Sequence, residues 1–197
     1  MRRVLFCLPL LLLLTGCEAI PFARELESTM LVQVLGVDWT ADGVTLTAAC
    51  DPENSEDDCA PVLSAWGKDL AEAEANLKGA GEEYVSLTHT TQLVLGEDTD
   101  VHAVLAAALE EPALGQTATV WLSQAGDAKD LLERVDGGAR RLSSIELNSP
   151  GVAPVTVLQG LMHLVEDGVV ELPLLTIEEG TLVPAGTKQI LEEENGT

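Results

Sequence analysis

The sequence predicts an α/β fold of mixed (α+β) character, a mixed β-sheet with helices packed on it in a single globular domain. Three observations predict it. Apolar, β-branched runs alternate with Ala/Leu/Glu-rich stretches of helical spacing through the middle of the chain. Hairpin patterns stand at both ends, an order expected of helices layered on a sheet. The 181 residues that follow the first 16 are enough for one core of ordinary size.

The elements follow in order. "MLVQVLGVDWTADGVTLTAAC" reads as a hairpin, with Asp42-Gly43 providing the positive φ of a tight turn. "LSAWGKDLAEAEANLKGAG" has apolar residues at helical spacing (Leu70, Ala73, Leu77) and closing glycines, and predicts a helix over residues 64–77. "HTTQLVLG" reads as a buried strand, and "DTDVHAVLAAALEEP" as a helix capped by Asp98 or Asp100 and stopped at Pro112. "QTATVWLSQ" predicts a strand, and "GDAKDLLERVDGG" a short helix with Asp127 as N-cap and Gly137 as terminator. A polar stretch with "NSPG" follows. "APVTVLQGLMHLVEDG" is then read as a helix, and "VVELPLLTIEEGTLVPAGTKQIL" as two strands around Glu179-Gly180.

The first residues set the compartment. Arg2 and Arg3 precede an apolar run over residues 4–14, which closes on Leu14-Thr15-Gly16-Cys17. This is the layout of a secretory signal, and the run falls short of the about 20 residues needed to span a bilayer. The Leu-Thr-Gly-Cys tetrad resembles the lipobox of bacterial lipoproteins, which implies cleavage after Gly16 and a diacylglycerol thioether on Cys17. The alternative is a chance cysteine near an ordinary signal-peptidase site.

Charge excludes one class of partner. Ten Lys+Arg stand against 33 Asp+Glu, a net charge of −23, and loss of Arg2 and Arg3 takes it to −25. Such a surface repels nucleic acid and anionic headgroups. Aromatic residues make up only 3 % of the chain, which argues against a sugar-stacking face. Of the four cysteines, Cys7 leaves with the signal and Cys17 takes the lipid. Cys50 and Cys59 remain, in a chain that matures outside the cytoplasm, where oxidising conditions favour a disulfide between them. Two free thiols are the alternative.

An enzyme needs converging groups, and the sequence is poor in them. His89 begins a predicted strand, and His102 and His163 lie on predicted helices without a second ligand at metal spacing. GxSxG, P-loop and GxGxxG signatures are absent from the sequence. The acidic loop offers Asp51, Glu53, Ser55 and Asp57 at alternate positions, yet lacks the Gly and terminal Glu of an EF-hand. Asp38, beside Trp39, is either a pocket carboxylate or a strand-end residue. The sequence thus predicts no catalytic residue, no cofactor and no metal site.

Four ordered segments resemble the N-terminal domain of the Ger(x)C family, the lipoprotein C subunits of spore germinant receptors. They are the lipobox with "RELESTMLVQVLGVD", "AWGKDLAEAEANL", "THTTQLVLGED" and "LEEPALGQTATVWLSQAGDAKDLLE". The resemblance covers residues 16–132 and extends more faintly to "LPLLTIEEGTLVPAGTKQIL". Glu18 stands where family members place a Trp after the lipidated cysteine, and the family continues into further domains. The resulting division is a signal peptide (1–16), a lipid-anchored leader (17–29), a Ger(x)C-like domain (30–190) and an acidic tail (191–197). The resemblance implies a non-enzymatic interaction module in spore germination, anchored at the outer face of the spore inner membrane and partnered by polytopic A and B subunits. The alternative is a solitary lipoprotein that binds a small ligand at its strand ends. The expected docking faces are the exposed side of the 64–77 helix and the first hairpin.

Overall fold

The computed structural model describes residues 29–49, 62–81, 84–110, 114–135, 138–149 and 151–192. Nine strands and five helices occur among them. The strands are β1 (Thr29–Leu31), β2 (Val34–Thr40), β3 (Gly43–Ala49), β4 (Val62–Gly67), β5 (Tyr84–Ser86), β6 (Gln92–Leu95), β7 (Thr119–Ser123), β8 (Val169–Glu178) and β9 (Thr181–Leu191). The helices are α1 (Leu70–Lys78), α2 (Val101–Glu110), α3 (Ala128–Glu133), α4 (Gly138–Asn148) and α5 (Val157–Asp167).

Seven strands form one mixed sheet in the order β4-β3-β2-β6-β7-β8-β9, and β1 pairs with β5 in a small parallel sheet. β2, β6, β7 and β8 run parallel, while antiparallel hairpins close both sides. The fold is therefore α/β of mixed type, as the sequence predicts.

Side-chain alternation explains the layers. Leu35, Val37, Leu93, Leu95, Val120 and Leu122 point to one face and share a core with α1, α2 and α5. Val34, Val94 and Trp121 point to the other, where α3 and α4 supply Leu131, Leu132, Leu142 and Ile145. Helices thus cover both faces, and the parallel strands read as nearly unbroken apolar runs because neither of their faces meets water.

The terminal hairpin bends. Glu179 and Gly180 both have positive φ (52° and 77°), a two-residue turn whose twist suits a hairpin. Between the pairs Pro173↔Thr187 and Leu175↔Pro184 the register slips, so Ala185 and Gly186 together oppose Leu174. This bulge changes which face later β9 residues point to: Leu182 joins the core of α3 and α4, whereas Ile190 packs against that of α2 and α5. β8 meets β7 only at Leu122↔Leu174 and Ser123↔Leu175, which leaves the open end of the hairpin free to reach α2.

Three expectations need correction. Residues 62–67 form a strand rather than the start of a helix; the helix starts at Leu70, where Asp69 accepts a hydrogen bond from the Glu72 N–H at 2.9 Å. The stretch pairs with β3 from Ala49↔Val62 to Val44↔Gly67, and a Cβ on Gly67 would lie 2.2 Å from the Ala73 nitrogen. Strand pairing and that close approach override the helical composition. The polar stretch before "NSPG" is α4, of whose described side chains Leu142 and Ile145 enter the core. The helix after Asp127 ends at Glu133, before Gly137.

Candidate functional site

Of the residues singled out in the sequence, Asp38 and Trp39 lie towards the carboxyl end of β2, beside that of β6. Asp38, near the end of β2, accepts hydrogen bonds from the backbone N–H groups of Ala128 (2.7 Å) and Lys129 (3.2 Å), so it caps α3 from another part of the chain. Asp127 occupies the N-cap position but makes no side-chain cap bond, which corrects the role expected of it. Burial raises the Asp38 pKa above the ordinary value, the two N–H donors oppose that rise, and the charges of Asp127 and Asp130 add to it. A Cβ on Gly96 would stand 2.1 Å from Asp38 Oδ1, so only glycine leaves the carboxylate its place. Thr99 locks the same corner, donating to the Val37 carbonyl at 3.0 Å and accepting from the Trp39 N–H at 3.3 Å. Asp38 thus sits at a strand end, with its oxygens engaged in holding α3.

Trp39 faces the other side of the sheet and lines an open cleft of about 960 Å³. Lys68, Asp98, His102 and the end of β9 complete its walls. Asp100 caps α2 through the Ala103 N–H at 2.9 Å, which selects between the two predicted caps. His102 Nε2 lies 2.8 Å from the Leu191 carbonyl and ties the end of β9 to the first turn of α2. His163 pairs with Asp167 one turn along α5 at 3.0 Å, and His89 lies exposed in the turn before β6. The three histidines are dispersed, and among the described residues no three His, Cys, Asp or Glu side chains converge as metal ligands.

A buried polar network escaped the sequence reading. Trp121 Nε1 donates to Gln92 Oε1 (2.6 Å), Gln92 Nε2 to Glu146 (2.8 Å), and Thr119 Oγ1 to the other Glu146 oxygen (2.8 Å). Gln92, Thr119 and Trp121 are all buried, and each finds a partner. Glu146 thereby fastens α4 to the first residues of β6 and β7. The only local signal was a Gln and a Thr at the inward starts of apolar strands.

An uncovered apolar face also went unseen. On α5, Val157, Gly160 and Leu164 are buried, but Leu158, Met162 and Val165 remain 42 %, 49 % and 71 % exposed. They recur at i, i+4 and i+7, one stripe along the helix. Leu109, at 45 % exposure, stands near the end of the neighbouring α2. Gln116 joins the two helices, donating from its side chain to the Leu109 carbonyl and accepting from the Leu158 N–H. The helix expected at 64–77 offers no comparable face, since its first residues belong to β4, where Trp66 is the exposed aromatic.

Cys17, Cys50 and Cys59, together with the acidic loop, lie outside the described residues. Among the described residues no helix is long and apolar enough to cross a membrane. Comparison of the chain with family models, curated proteins and solved structures finds no match.

Proposed function

We propose that this protein is a membrane-tethered, extracytoplasmic interaction module, non-enzymatic, of the kind represented by the N-terminal domain of a germinant-receptor C subunit and acting in spore germination. Cys17 carries the lipid, and polytopic receptor subunits are the partners. The observation that carries the reading is the apolar stripe of α5. A monomer gains nothing from leaving Leu158, Met162 and Val165 in water, and contiguous exposed apolar side chains mark binding surfaces. The lipidated cysteine adds to this by confining the domain near membrane partners and raising their effective concentration. The supporting sequence evidence is the ordered set of segments behind the lipobox. Fractionation of spores and a deletion strain test it: the protein is expected in spore membranes, with germination impaired when it is lost. Absence from spores together with unchanged germination refutes the reading.

The cleft beside Trp39 favours a second reading, a small-ligand-binding lipoprotein. Its volume of about 960 Å³ lies within the range of ligand sites, and its walls mix Trp39 and Ile190 with Lys68 and Asp98. A thermal-shift screen with amino acids and sugars is expected to raise the melting temperature if this reading holds. A screen without any shift counts against it.

A further inference from the structure

We infer that the uncovered face of α5 receives an amphipathic helix of a partner protein, one whose apolar seam is flanked by lysine or arginine. The inference rests on the interaction-module reading above and deepens it. The shape of the surface points to a helix. Leu158, Met162 and Val165 form a narrow ridge along a single helix, the geometry that fits the groove between side-chain rows of a second helix.

Charge selects the partner. Neither α2 nor α5 contains a Lys or Arg, so no cation of these two helices borders the ridge. Glu110 ends α2 and Glu166 follows Val165 on α5, while His163 is already paired with Asp167. A second copy would set acidic rim against acidic rim, and an anionic lipid surface would meet the same repulsion. A helix with basic flanks meets neither obstacle.

The test uses the mature chain, kept soluble by Cys17→Ser, and two synthetic helical peptides that share one leucine seam. One peptide carries lysines at the flanking positions and the other carries glutamates, and binding is followed by fluorescence anisotropy. The lysine peptide is expected to bind saturably and at least tenfold more tightly than the glutamate peptide. Met162→Asp and Val165→Asp, both at exposed positions, are expected to weaken it at least tenfold, whereas Leu147→Asp on α4 leaves it unchanged; circular dichroism checks that each variant is folded. Each of these variants adds a negative charge, so attraction by bulk charge alone would make binding tighter in all three. Equal binding of the two peptides, undiminished binding by the α5 variants, or a dimer that Val165→Asp dissolves overturns the inference. The broader reading fails by a different result, absence of the protein from spores together with germination unaffected by deletion.

Discussion

Asp38 is pulled two ways. Its two N–H donors favour the carboxylate, but burial and the neighbouring acids favour the neutral form and prevail, so its pKa in the folded chain is raised. Folding therefore favours the protonated side chain. The stability this group contributes is fully present below its unfolded pKa, about 3.9, and is lost as pH rises through the folded value. Asp38→Asn cannot ionise yet keeps an oxygen for the Ala128 N–H. Its melting temperature is expected to fall less than that of the parent as pH rises from 4 towards neutrality, and to match or exceed the parent at pH 7. Thermal melts of both proteins between pH 3.5 and 7 decide the matter, and a steeper fall in the variant would refute the account. Gly96→Ala acts on the same corner by sterics. A methyl 2.1 Å from Asp38 Oδ1 must expel the carboxylate or shift the backbone, and overpacking of this kind costs about 1 to 3 kcal/mol. Urea denaturation should show a lower midpoint, and a double mutant with Asp38→Ala should recover part of the loss, because the clash is then gone. The sequence placed Asp38 correctly at a strand end. It could not show the cap, because the partner N–H groups lie about 90 positions away in the chain.

Elements whose burial pattern matches their own periodicity were legible: β2 and β3, β6, β7, α2, α5 and the terminal hairpin. α5 also carries its own start signal, a capping box in which Thr156 and Gln159 satisfy each other's backbone. Thr156→Ala is expected to cost about 1 kcal/mol, read as a lower denaturation midpoint with an unchanged slope. β4 was misread because Ala and Leu are helix formers by composition, while its strand character comes from β3, a neighbour whose pairing no local window contains. α4 was missed for a different reason. It presents two fully buried apolar side chains, Leu142 and Ile145, and relies on Glu146 for much of its attachment. Removing that carboxylate strands a buried amide and a buried hydroxyl, so Glu146→Ala should destabilise by about 1 to 3 kcal/mol. Leu147→Ala, at a side chain 81 % exposed, should be neutral within about 0.5 kcal/mol. If the two substitutions prove equivalent in chemical denaturation, the polar network does not hold the helix.

For the whole molecule the dominant quantity is charge. Three of the described cations are paired locally, each one turn along its helix: Lys78 with the largely buried Glu74, and Lys129 with Glu133 and Arg134 with Asp130 on exposed faces. Such pairs contribute a few tenths of a kcal/mol and do little against a net charge of −23 over the full chain. On the tethered reading proposed above, that excess also bears on how the protein is held at a membrane. Peripheral attachment often combines a lipid with a basic patch, each basic residue adding about 1 kcal/mol at an anionic surface. Here the electrostatic share has the opposite sign, and among the described residues no helix can substitute by spanning the bilayer. On the reading proposed above, a diacylglycerol on Cys17 supplies the attachment, and two acyl chains at about 0.8 kcal/mol per buried methylene are enough for it. The consequence is an all-or-none response. Cys17→Ser is expected to move the chain entirely from the membrane pellet to the soluble fraction, at low salt as well as at high salt. Mass spectrometry of the parent should find a lipid-modified N-terminal cysteine. Retention of the serine variant on membranes at low salt, with release at high salt, would mean that an electrostatic contact holds the protein and that the lipid is not its anchor.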